Sequence, residues 1–244
     1  NCENMFVTTC YKPEIVEEHV KSNSKTIILR DTRVVGNGGS LVEHYKKVIN
    51  NLGQDLLVIS GDHVLENFPM DQFIEHHRES KADVTLMITP PKSFGEYVIL
   101  NKNKVSEVVF SKRENSWSTI GIYLISSEYL HKWMRSHLET GWSGQSLCVT
   151  KDIIHPAIYN TEVKVFLLPD SAYWDDAGII PRYYFNNMLL SQGENVIDEN
   201  SYVCPGTDLE GCIVIGDTEI IEPVILRKSI ISYDKNKGIQ VTTL

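Results

Sequence analysis

Asp62 closes the stretch LLVISGD (56–62), in which four apolar residues, Leu56, Leu57, Val58 and Ile59, run into Ser-Gly-Asp. A short apolar run ended by small residues predicts a buried strand of an α/β sheet. The chain would break at Gly61 and set Asp62 at the strand's carboxyl end, the edge where open α/β sheets bind ligands. A carboxylate there either faces a ligand or caps a following helix. A second stretch, VVGNGGSL (34–41), gathers Gly36, Gly38 and Gly39 ahead of a helical pattern. Three glycines let backbone come close to a neighbouring group, and a plain turn entering a helix accounts for them equally well. Five scattered cysteines, with no Cys-x-x-Cys pair, offer neither a zinc site nor a redox dithiol and fit reduced thiols in the cytoplasm.

The elements that must carry these residues follow from periodicity. MFVTTC (5–10), KTIILR (25–30), LLVIS and DVTLMIT (83–89) read as strands. Between them lie PEIVEEHV, GSLVEHYKKVINNLG and MDQFIEHHRES, with apolar residues at helical spacing, and Gly53 stops the second. Strand and helix alternating at this cadence predict a parallel sheet covered on both faces. After Pro90-Pro91 the texture changes to EYVIL, KVSEVVF and TIGIYLI, short strands close together, as in an antiparallel or mixed extension. Helical stretches around 127–136 and 182–192 bracket EVKVFLL (162–168) and AYWDDAG (172–178).

From residue 196 the rhythm changes once more. Val203, Leu209, Ile215, Ile221 and Ile239 fall on a six-residue register, broken at Arg227 and Tyr233. A period of six belongs to a parallel β-helix, whose apolar residues point into the coil while Gly, Asp and Pro carry the turns. The domain boundary is expected near 193–195, giving an α/β domain over 1–195 and a coil over 196–244.

Composition limits the partners. A formal charge of −9 argues against a broad grip on nucleic acid or an anionic membrane, and leaves room for a local basic pocket. No apolar stretch approaches the roughly 20 residues of a membrane span, and the first residues lack the layout of a signal peptide. A cytoplasmic protein with small-molecule partners is the expectation.

Four motifs in order, LLVISGDHVLENF, FGEYVILNKNKVSEVVFSKRE, STIGIYLIS and YWDDAGIIPRYYFNN, followed by the coil, resemble the sugar-1-phosphate nucleotidylyltransferases. The resemblance runs from Phe6 almost to the C-terminus. It implies a Rossmann-like mixed sheet flanked by helices, with a short left-handed parallel β-helix behind it. The implied reaction joins a nucleoside triphosphate to a sugar 1-phosphate with release of pyrophosphate, using Mg²⁺. By the same resemblance Asp62 and Asp176, 114 positions apart, are the metal ligands. Lys112 would contact the sugar phosphate, with Arg113 in place of the proline that usually follows. Gly61 lies in the first motif, Gly95 and Tyr97 would lie near the sugar, and Thr119 stands where an asparagine commonly holds a sugar hydroxyl. Gly36, Gly38 and Gly39 would approach the nucleotide base.

The first residues match the family's second strand, so its opening strand and Gly-rich triphosphate loop are expected upstream of Asn1. The other reading is a regulatory or assembly subunit that keeps the fold and binds nucleotide or nucleotide sugar without turnover. A hexapeptide-type acyltransferase would need a histidine on the coil, and the last histidine is His155. Coil ends expose strand edges, so a homo-oligomer is expected.

Overall fold

The computed structural model describes residues 2–92, 95–101 and 104–244. Phe94, Lys102 and Asn103 of the FGEYVILNKNK motif lie outside them. The strands of the first 176 residues are β1 (Met5–Thr9), β2 (Thr26–Arg30), β3 (Asp55–Val58), β4 (His63–Glu66), β5 (Val84–Thr89), β6 (Tyr97–Asn101), β7 (Lys104–Val109), β8 (Ser116–Ser126), β9 (Val163–Leu167) and β10 (Tyr173–Asp176). The helices are α1 (Pro13–Val20), α2 (Gly36–Glu43), α3 (Tyr45–Ile49), α4 (Met70–Ser80), α5 (Ser127–Glu139), α6 (His155–Asn160) and α7 (Ile180–Leu190). A π-helical turn, Val149–Ile154, runs into α6. Among the described residues no helix is long and apolar enough to cross a membrane.

The chain divides into two compact units, Asn1–Ser60 with Pro69–Asp170, and Gly61–Phe68 with Ser171–Leu244. In the first, the eleven-residue β8 is the spine. Its Ser118–Ile125 stretch pairs antiparallel with β5, while the opposite edge takes β6 at Ser116–Ser118 and β3 at Tyr123–Ser126. Beyond these, β7 pairs antiparallel with β6, and β9 runs parallel to β5. The sheet is therefore mixed. LLVIS lies antiparallel to its neighbour, and among the described residues of this unit parallel pairing is confined to β5–β9 and to the separate β1–β2 ladder. Five of the six residues of β5 are buried, as expected of a continuous apolar run covered on both faces.

α5 begins where the Ser126 hydroxyl accepts from the Tyr129 amide at 3.3 Å. It buries Leu130, Trp133 and Met134, worth about 1.5–3 kcal/mol for each large apolar side chain. The helix expected over 40–52 breaks at His44, whose Nε2 lies 3.1 Å from Asp31 Oδ1. Ser40 Oγ donates to the same oxygen at 3.2 Å. The carboxylate is thus the hub of this Ser-His-Asp trio, which ties α2 to the residue after β2. A nucleophile relay requires the histidine at the centre.

In the second unit β4 and β10 form an antiparallel pair, and eight strands follow. These are β11 (Val196–Ile197), β12 (Tyr202–Val203), β13 (Asp208–Glu210), β14 (Ile213–Ile215), β15 (Glu219–Ile220), β16 (Ile225–Arg227), β17 (Ser229–Asp234) and β18 (Gly238–Thr243). Three parallel ladders stack β11 on β14 on β17, β12 on β15, and β13 on β16. Such stacking is compatible with a β-helix, and β17–β18 ends it as an antiparallel hairpin.

The offset between stacked residues is 17, as in Asn195 Oδ1 accepting from the Cys212 amide and Ser201 Oγ from the Thr218 amide. A strict hexad register would need about 18 for three sides. Packed together with Cys212 and Val224, the inward residues nearest the expected register are Val203, Leu209, Val214, Ile220, Leu226 and Ile231, spaced six, five, six, six and five apart. This corrects the sequence register. Val214 and Ile220 point inward where Ile215 and Ile221 were expected, Ile221 is 71% exposed, and Ile239 lies on the terminal hairpin. α7 joins this unit through the Tyr184 hydroxyl, which donates to the Gly211 carbonyl at 2.9 Å.

Candidate active site

Register brings the two aspartates together. Asp176, the last residue of β10, lies opposite His63, the first of β4, and the Ala177 amide donates to the Asp62 carbonyl at 2.8 Å. Asp62 therefore precedes a strand, and α4 begins only at Met70 after Pro69, so the helix-cap reading of Asp62 falls. Asp176 caps nothing either, because Ile179 is the N-cap of α7.

Both carboxylates converge on Gly178. A Cβ placed there would lie 2.8 Å from Asp62 Oδ2 and 3.6 Å from Asp176 Oδ1. The Gly178 amide donates to Asp176 Oδ1 at 3.3 Å. Gly178 is absent from the positive-φ positions, so glycine serves here by leaving space. Behind the pair, the His63 and Trp174 rings meet edge to face at 5.6 Å, and His63 Nδ1 is buried without a hydrogen-bond partner. Burial pushes the His63 imidazole below its ordinary range, against the pull of Asp62 and Asp176.

Among the described residues no cluster of three or more His, Cys, Asp or Glu side chains is arranged around a metal position. Two convergent carboxylates beside a space that a methyl group would fill still fit Mg²⁺. That ion keeps several waters and takes one or two protein carboxylates together with substrate oxygens.

Of the other residues singled out in the sequence, Gly61 belongs to the second unit and the rest lie in the first. Thr119 is buried, with its amide donating to the Glu96 carbonyl at 2.9 Å and its hydroxyl at 3.4 Å. Tyr97 is 2% exposed, and its hydroxyl donates to the Lys92 carbonyl at 3.2 Å. A ring so deeply buried offers no face to a sugar, so Tyr97 fixes the strand from inside the core. Gly95, at φ +115°, occupies backbone space that favours glycine, and among the described residues nothing crowds it or Gly61. Lys112 is exposed, with Nζ 3.5 Å from the Pro91 carbonyl. The Tyr123 hydroxyl, 3.0 Å from Thr150 Oγ1, is held above its ordinary range by burial and stays protonated.

Gly36, Gly38 and Gly39 also allow a close approach, and the chain itself makes it. The Gly38 and Gly39 amides donate to the Leu147 carbonyl at 2.9 and 3.3 Å. A Cβ on Gly36 would lie 2.3 Å from that oxygen.

Sequence reasoning passed over Gly178, Arg182 and Asn186. The signal was present for the last two, which are four residues apart on a helix directly after Asp175-Asp176.

Residues 1–193 match the nucleotidyl transferase family. The chain belongs to that family. Among curated relatives it is 26% identical over 192 residues to a glucose-1-phosphate adenylyltransferase of Clostridium botulinum (strain Eklund 17B / Type B), covering 67% of this chain and 49% of the relative. A glucose-1-phosphate adenylyltransferase of Geobacillus stearothermophilus is 25% identical over 194 residues, with the same coverage. The chain thus spans about half the length of the curated relatives it matches.

Among solved structures, a mannose-1-phosphate geranyltransferase from Thermus thermophilus superposes with TM-score 0.62 at 15% identity, over 97% of this chain and 79% of the other. HddC from Yersinia pseudotuberculosis gives 0.58 at 19% identity, over 76% and 77%. These likenesses establish the shared fold.

Proposed function

We propose that this chain belongs to a sugar-1-phosphate nucleotidylyltransferase. A sugar-phosphate oxygen would bond to the α-phosphorus of a nucleoside triphosphate while the bond to the β-phosphate breaks, giving an NDP-sugar and pyrophosphate. The observation that carries this reading is the convergence of Asp62 and Asp176 on Gly178. Asp62 and Asp176 would hold Mg²⁺, which supplies positive charge beside the reacting phosphate. Lys112 is exposed and suits a dianionic sugar phosphate as a point charge. Thr119 would hydrogen-bond a sugar hydroxyl beside Gly95, with Tyr97 setting that strand. Gly36, Gly38 and Gly39 would set the backbone near the base, and Gly61 would let the chain reach Asp62. The work of these residues is positioning and charge neutralisation.

The same reading takes 1–195 as the nucleotidyltransferase domain and 196–244 as a left-handed β-helix that packs subunits into a homo-oligomer, in the cytoplasm.

Asp62→Asn should abolish Mg²⁺-dependent pyrophosphate release, measured with a panel of nucleotides and sugar phosphates, while the thermal melt stays within a few degrees of the parent. Equal turnover in parent and variant would refute the role of Asp62. Nucleotide-sugar binding by the parent without any turnover would favour the regulatory-subunit reading.

A further inference from the structure

Asp176 is gripped through the oxygen that does not face Gly178. Its Oδ2 accepts from Arg182 Nη1, and Nη2 of the same guanidinium donates to Asp175 Oδ1, so one planar fork spans two successive carboxylates. Asp175 Oδ2 accepts from Asn186 Nδ2 at 3.1 Å. The same amide donates to the Arg182 carbonyl at 2.9 Å, and Asn186 Oδ1 accepts from the Tyr173 hydroxyl at 2.8 Å. Burial separates this network from an ordinary surface ion pair. Side-chain exposure is 16% for Arg182, 10% for Asp175 and 27% for Asp176, and Asn186 is buried.

Two consequences follow. The first is geometric: with Oδ2 engaged, Oδ1 is the oxygen of Asp176 that lies at the Gly178 space beside Asp62. The second is electrostatic. A guanidinium paired with Asp176 alone would cancel half the charge of the acidic pair. Asp175 restores it, since three carboxylates and one guanidinium leave two net negative charges, the complement of a divalent cation.

We propose that Arg182 and Asp175 are positioning residues for divalent-cation capture: Arg182 aims Asp176 Oδ1 at the Gly178 space, and Asp175 anchors the guanidinium and returns the charge it removes. This rests on the reading of Asp62 and Asp176 as cation ligands.

The test is a Mn²⁺ titration of the full chain, with free Mn²⁺ counted by electron paramagnetic resonance and melts run in parallel. Arg182→Ala would strand a buried carboxylate, so the informative variants are Asp175→Asn and Arg182→Lys, which retain hydrogen bonding or charge. Each should weaken Mn²⁺ binding about tenfold, the loss typical when a partner behind a metal ligand is altered. A purely structural role would lower the melting temperature and leave Mn²⁺ affinity, measured well below it, within about twofold of the parent.

That outcome, with Asp62→Asn abolishing binding, overturns this inference alone. If the parent binds no Mn²⁺, or Asp62→Asn binds as the parent does, the metal reading falls and this inference with it.

Discussion

Gly178 and Gly36 both stand where a side chain would collide with oxygen, and the two collisions differ in kind. At Gly178 the nearest atoms are the ends of two carboxylate side chains; at Gly36 the nearest is the Leu147 backbone carbonyl, at 2.3 Å. The first glycine leaves space between two carboxylate ends, while the second lets two chain segments close on each other. A glycine in a motif therefore signals close approach without saying what approaches, and the identity of the nearest atom decides the matter.

The sharpest way to break this contrast is Gly36→Ala. The residue sits at φ +74° and its new methyl group would meet backbone that cannot rotate away. Left-handed strain and overpacking together should cost about 3 kcal/mol or more in denaturant unfolding. A loss below about 1 kcal/mol would show that the 145–148 segment can move aside.

The same question can be put to neighbours in the coil, where Ile220 is 4% exposed and Ile221 71%. Ile220→Ala should cost about 2–3 kcal/mol and Ile221→Ala no more than about 0.5. Equal effects would restore the strict hexad register.

Gly178→Ala should move stability least, by less than about 1 kcal/mol, because carboxylate ends can swing away from a methyl group. Mn²⁺ affinity should nevertheless fall about tenfold, since the displaced oxygens are those that would hold the ion. Unchanged affinity would mean that the Gly178 space is not where the cation sits.

The sequence reveals much of this architecture because the fold depends on periodicity. The apolar runs at 25–30 and 83–89 and the helical spacing at 70–80 each become the expected element. The stacked strands after residue 195 show through their turn residues and regularly spaced apolar positions. What stays hidden depends on single-residue offsets and on pairing across long separations. One short side per coil turn moves the interior from Ile215 and Ile221 to Val214 and Ile220, and both members of each pair are apolar and β-branched, so the pattern cannot tell them apart. The meeting of Asp62 with Asp176 depends on the β4–β10 register, which nothing local encodes. Resemblance to a family supplied that pairing, whereas the Arg182–Asn186 relation on α7 was within reach of helical spacing alone.

The coil repeat of 17 residues also sets the unit by which this end of the protein can change length. A block of 17 residues added or removed between stacked strands leaves each rung above its former neighbour, with the Asn195–Cys212 and Ser201–Thr218 bonds reproduced one level along. A block of about 18, natural to a strict hexad coil, shifts every later residue by one position and turns the Ile231 side of the stack outward. Coil extension in this protein is thus quantised, and the quantum is one residue short of three hexads.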